Sequence, residues 1–176
     1  MTLDELGPRI CIMGPSNSGK STLANAIGRA RGLLPIHLDQ LHHYPHTHWQ
    51  PRPDEEFRAL HNAAILGPSW VMDGNYSRCL PPRLARATGV ILLDTSTATS
   101  LYRYLRRTWF ERVRYGGLAG SRDRITWEMI HYIVFAARAS RRRHEALFRH
   151  LHLPKVRLAT TPELARFYQS EGLVRP

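Results

Sequence analysis

Lysine is nearly missing from this chain. Its 176 residues include 23 arginines and only two lysines, Lys20 and Lys155. With so little lysine there is no Asn-Lys-x-Asp base-reading motif, which argues against a GTPase switch. Acidic residues are also scarce: 14 Asp and Glu face 25 Lys and Arg, for a formal charge of +11 and a pI near 10.6. Cysteine is limited to Cys11 and Cys79, which excludes a disulfide scaffold and suggests a reducing compartment. Long hydrophobic runs are absent. The stretch 130–137 is interrupted by His131 and is too short to span a bilayer. The first residues carry Asp4 and Glu5 and no basic leader, so no secretory signal is expected. These absences predict a cytoplasmic protein with no membrane partner. The 43% hydrophobic content and four tryptophans predict a packed core, and the length suits one domain over 1–176.

One of the two lysines stands in the most informative segment. Gly14-Pro15-Ser16-Asn17-Ser18-Gly19-Lys20-Ser21 fits G-x-x-x-x-G-K-[ST], a phosphate-binding loop. Arg9 to Met13 precedes it as an apolar strand, and Thr22 to Ile27 follows as a helix with an apolar face. The glycines let the backbone curl so that N–H groups converge on phosphate oxygens. The helix N-terminus adds its positive end. Lys20 reaches β- and γ-phosphates, the Ser21 hydroxyl suits Mg²⁺, and Thr22 is a further phosphate contact.

Strand-like and helix-like stretches alternate along the rest. Strands are predicted at Leu33–Leu38, Trp70–Met72, Gly89–Leu93 and Lys155–Ala159, the last with an edge-like alternation. Helices are predicted at Asp54–Ile65, Ser100–Arg114, Thr126–Leu151 with a break, and Pro162–Gly172. This order predicts an α/β fold, a parallel sheet with helices on both faces and ligands at the C-terminal strand ends.

Polar groups gather at those ends. Asp73 closes the third strand, where a carboxylate reaches Mg²⁺ or its waters. Asp39 follows the second and suits proton acceptance from a substrate hydroxyl. A helix-capping or turn-forming role is the plain alternative for both. His42, His43, His46 and His48 lie within seven positions beside Tyr44 and Trp49. Without cysteine partners or a helical His-Glu pairing, this run reads as a substrate-side flap rather than a structural metal site. Arg103 and Arg107 share one helix face, ahead of a glycine-rich loop flanked by arginines, with the lid approximately 112–126. Such a lid would place arginine on a transferring phosphoryl group. From Arg103 to Arg149, twelve Arg stand against four acids, a net +8 that attracts polyanions.

Several pieces together resemble the adenylate-kinase-like P-loop proteins known as DNA topology modulation proteins. They are Gly14 to Ser21, His37-Leu38-Asp39 with Trp49, Trp70 to Ser77, Arg83 before Val90 to Asp94, and Arg103, Arg106 and Arg107. The resemblance covers roughly 9–115. It implies a three-layer P-loop NTPase fold, a five-stranded parallel sheet of order 2-3-1-4-5, with an Arg-rich lid. It also implies a donor site on Gly14 to Thr22 binding ATP and Mg²⁺, the latter through Ser21 and Asp73. Asp39, Trp49, Asn75, Tyr76 and Arg83 are then expected to face the acceptor, and Lys20, Asp39, Asp73, Arg103 and Arg107 to carry catalysis. The expectation is a kinase for a small molecule or nucleotide. An ATP-dependent nucleic-acid-binding or regulatory protein is the alternative.

Overall fold

The computed structural model describes residues 1–110, 117–118 and 137–175, with the side chains of 107–110 and 137–139 outside that description. A short helix α1 (Leu3–Leu6), closed by a Thr2–Glu5 capping box, leads into β1 (Arg9–Met13). Then follow α2 (Lys20–Arg31), β2 (Pro35–His37), α3 (Leu38–His42), α4 (Asp54–Ala64) and β3 (Trp70–Asp73). After a single 3₁₀ turn come α5 (Leu80–Arg86), β4 (Gly89–Leu93), α6 (Thr97–Phe110), α7 (Ala137–His150), β5 (Lys155–Leu158) and α8 (Thr161–Ser170).

The five strands pair in parallel, in the order β2-β3-β1-β4-β5. This is the parallel α/β architecture expected from the sequence, in the strand order that the resemblance implies. The central strands show why: β3 and β4 are buried at every position, as a sheet covered on both faces requires. Alternation along β1 divides the core into two layers. Ile10 and Ile12 pack with Leu23, Ile27, Leu164 and Phe167 under α2 and α8. Cys11 and Met13 turn the other way, toward Phe57, Leu80 and Phe148 of α4, α5 and α7.

One departure from the expected boundaries bears on the site. The second strand ends at His37, and Leu38 starts a helix instead of closing the strand. Asp39 therefore lies in a first helical turn, where a carboxylate favours the positive end of the helix. The last helix behaves as expected: Thr160 caps it by accepting from the Glu163 N–H, and Gly172 follows it at φ 63°. Among the described residues no helix is long and apolar enough to cross a membrane.

Candidate active site

The register of the sheet builds the centre of the site. Ile12 stands opposite Asp73, and Asp73 opposite His37, at the carboxyl edge of β1, β3 and β2. The phosphate loop leaves β1 at Gly14. Its φ is +147°, and a Cβ there would meet the Leu93 carbonyl oxygen at 2.3 Å, so only glycine fits. The loop ends at Gly19, which begins α2 with no side-chain cap. The first N–H groups of α2 are thus directed at the loop, the usual arrangement for holding an anion. Lys20 Nζ donates to the Pro15 carbonyl at 2.8 Å, which keeps the ammonium over the loop. Thr22 lies in the first turn of α2, after Ser21.

Ser21 donates its hydroxyl to Asp73 Oδ2 at 2.5 Å. The other Asp73 oxygen meets His37 Nδ1 at 2.7 Å. Asn25 completes a ring of contacts: its Nδ2 lies 2.9 Å from the Ser21 carbonyl and 2.9 Å from His37 Nε2. The Ser21 carbonyl can only accept, so that Asn25 atom is the donating nitrogen. Its second hydrogen then goes to His37 Nε2, which leaves His37 Nδ1 as the donor to Asp73. Burial alone would push the Asp73 carboxyl up; the His37 and Ser21 hydrogen bonds and the charge of Lys20 outweigh it and hold Asp73 below the usual carboxylate range. Sequence reasoning proposed Ser21 and Asp73 and missed His37 and Asn25. His37 had the same signal as Asp73, a polar residue closing an apolar strand.

Asn75 binds the phosphate loop rather than standing apart from it. It accepts from the Gly14 N–H at 3.3 Å and donates to the Gly14 carbonyl at 2.6 Å. Gly74 makes this approach possible, since its φ is +127° and a Cβ would meet Leu38 Cβ at 2.7 Å. Next in the chain, Tyr76 donates its hydroxyl to Asp39 Oδ1 at 2.8 Å. Its ring packs against Phe57 and the His42 ring, with centroids 4.9 and 4.7 Å away. His43 carries Trp49 edge-on at 5.2 Å. The run from His43 to Pro51 folds back on itself through an antiparallel bridge, with His46 and Trp49 in the left-handed region. A tryptophan held at positive φ is strained, and such strain gathers at ligand clamps. Among the described residues no group of three or more His, Cys, Asp or Glu is built to hold a metal ion.

Arg103 donates to the Ser18 carbonyl at 2.8 Å and to Thr161 Oγ1 at 3.2 Å, which brings α6 and the start of α8 to the back of the phosphate loop. The Arg107 side chain lies outside the described residues, as does the lid at 112–126 apart from Gly117 and Leu118. The Gly117 carbonyl accepts from Gln40 Nε2 at 3.0 Å, one residue from Asp39. Arg83 is fully buried on α5, and among the described residues its guanidinium nitrogens have no hydrogen-bond partner. In the basic segment, Arg141 pairs with Asp94, and Arg149 lies 2.6 Å from Glu145.

The fold is that of the P-loop kinases. A sugar kinase from a Janibacter species is 19% identical over 91% of each chain, with a TM-score of 0.51. A gluconokinase from Sinorhizobium meliloti is 15% identical over 96% of this chain and 95% of its own, with a TM-score of 0.56. A shikimate kinase from Acinetobacter baumannii, solved with shikimate, is 14% identical over 96% and 93%, with a TM-score of 0.58. No protein-family model and no curated protein matches the chain. The structural neighbours are thus small-molecule kinases, and the comparisons do not show the DNA topology modulation family.

Proposed function

We propose that this protein is an ATP-dependent phosphotransferase that moves the γ-phosphoryl group to a hydroxyl of a small-molecule or nucleotide acceptor. The observation that carries the reading is the 2.5 Å contact between Ser21 and Asp73 at the carboxyl edge of the sheet, beside Lys20. A hydroxyl and a carboxylate held in its charged form are hard oxygen donors and suit Mg²⁺. Ser21 and Asp73 would hold the ion, which would supply neutralisation of the charge developing on the phosphates. Lys20 and the α2 N-terminus hold the phosphates. Arg103 adds positive charge from α6. Asp39 takes the proton of the acceptor hydroxyl, with Tyr76 fixing the carboxylate's orientation. Trp49 and its neighbours form the wall that keeps water from the acceptor.

The test is a screen of hydroxyl compounds and nucleotides for ATP consumption, repeated with Asp39→Asn. We expect one acceptor class to raise consumption, and Asp39→Asn to lower it by about 10²–10⁴-fold, the usual contribution of a general base. ATP–Mg²⁺ binding that is equally tight in Lys20→Ala would refute the donor site. Tight, salt-steep DNA binding with no consumption for any acceptor would favour the nucleic-acid reading instead.

A further inference from the structure

Among the described residues, Arg83 is a buried charge that the fold leaves without a partner. It is 0% exposed, and none of its three guanidinium nitrogens has a hydrogen-bond partner. A guanidinium carries five donors and does not lose its proton in a protein. Burying one unpaired is among the costliest arrangements a core can contain. The other two buried Asp or Arg side chains among the described residues, Asp73 and Asp94, are both hydrogen-bonded.

Its direction follows from the helix that bears it. Helical side chains lean toward their own N-terminus. The N-terminus of α5 follows Tyr76 by a single 3₁₀ turn, Ser77–Cys79, so it lies at the carboxyl end of the sheet. The other end of α5 is tied to the far side: Arg86 Nε donates to Ile65 O, and Arg9 Nε donates to Arg86 O. Arg83 therefore leans toward the end of the sheet that carries Tyr76 and Asp39. His144, buried on α7, is pushed down to about 4 by burial first and then by the charges of Lys20, Arg143 and Arg83. One buried imidazole thus senses both the phosphate-loop lysine and Arg83, and it stays neutral between them.

We propose that Arg83 is the oxyanion-binding residue of the acceptor pocket, and that the acceptor is a hydroxyl compound carrying a phosphate or carboxylate group. The inference rests on the phosphotransferase reading above. The planar guanidinium fork matches either oxyanion in two-point geometry. A neutral acceptor would leave the guanidinium unpaired in the closed site. A cationic one would add repulsion to an enclosure already positive.

The experiment keeps the phosphate loop filled with β,γ-imido-ATP and Mg²⁺ and titrates inorganic phosphate or acetate by calorimetry, against chloride at equal ionic strength. Saturable binding of phosphate alone assigns a phosphorylated acceptor, and of acetate a carboxylated one. Arg83→Met should lose at least about tenfold in that affinity, the loss of one charge-assisted pair. The same variant should melt higher than the unmodified protein without anion, because it replaces an unpaired buried charge with an apolar chain of similar length. Arg83→Lys, which keeps the charge but not the fork, should bind with intermediate affinity. The inference is overturned by saturation with neither probe beyond chloride, by Arg83→Met binding as tightly as the unmodified protein, or by its melting temperature failing to rise. None of these outcomes touches ATP binding, whose dependence on Lys20 tests the phosphotransferase reading separately.

Discussion

Asp73 and Asp94 are both buried aspartates at the carboxyl ends of central strands, yet their surroundings differ in kind. Asp94 meets two arginines. Arg141 pairs with one carboxylate oxygen and also reaches the Asp94 carbonyl, while Arg157 Nε donates to the other oxygen at 3.0 Å. Burial would push the Asp94 carboxyl up, but the two guanidinium groups prevail and hold it below the usual range. Its charge is spent on joining α7 and β5 to the end of β4. Asp73 is held directly by a hydroxyl and an imidazole N–H, and among the described residues no arginine bonds either oxygen. Those contacts orient the carboxylate without cancelling it, so it still has charge to give a cation. Two carboxylates of similar burial thus differ in what their partners' charge leaves available, and on the proposed reading only Asp73 serves a cation.

The sharpest way to break this comparison is Asp73→Asn, which keeps the shape and removes the charge. Mg²⁺-dependent ATP binding should weaken by about 10²-fold, from the loss of a charged oxygen at the ion. Asp94→Asn should leave the Mg²⁺ midpoint unchanged and cost stability, about 2 kcal/mol, because it strands Arg141 and Arg157 at the protein edge. Calorimetric Mg²⁺ titrations and thermal melts on both variants decide the matter. A shifted Mg²⁺ midpoint in Asp94→Asn would erase the distinction.

The pH dependence sharpens it. A carboxyl depressed in the folded state contributes stability that is fully present above its unfolded value, about 3.9, and is lost as pH falls through the lower folded value. Acid melts of Asp94→Asn should therefore be flatter below about pH 4 than those of the unmodified protein. A parallel acid slope would show that Asp94 does not supply this contribution. The smallest expected effect concerns His37. His37→Ala should weaken Mg²⁺ by about tenfold, as the loss of an orienting partner does. His37→Asn, which can return a donor to Asp73, should recover most of it. Equal defects in the two variants would argue that His37 only fills space.

The sheet was legible because β3 and β4 are continuous apolar runs and the phosphate loop fixes which strand is central. The contact between Ser21 and Asp73 joins two residues that loop spacing and strand-end position, both local properties, had singled out. What escaped depends on tertiary register. His37 becomes a partner of Asp73 only when β2 pairs with β3. The Asp94 anchors lie 47 and 63 residues away along the chain, at Arg141 and Arg157, beyond any local pattern. The helix α3 was hidden because Leu38 continues the apolar run of β2 without a breaker. Asn75 was expected to face the acceptor, and its hold on Gly14 across 61 residues was not foreseen.

That hold also makes the protein vulnerable to chemical ageing. An asparagine amide can donate to and accept from a single residue's backbone through two different atoms, as Asn75 does with Gly14. Asparagine is also thermolabile. Hydrolysis of that one amide would set a second acceptor against the Gly14 carbonyl and turn a fastening into a repulsion. An Asn75→Asp chain reproduces the lesion, and we expect its ATP affinity to fall; an unchanged affinity would show that the loop keeps its shape without the amide. The durability of the phosphate site under heat then depends on a single nitrogen two residues beyond Asp73.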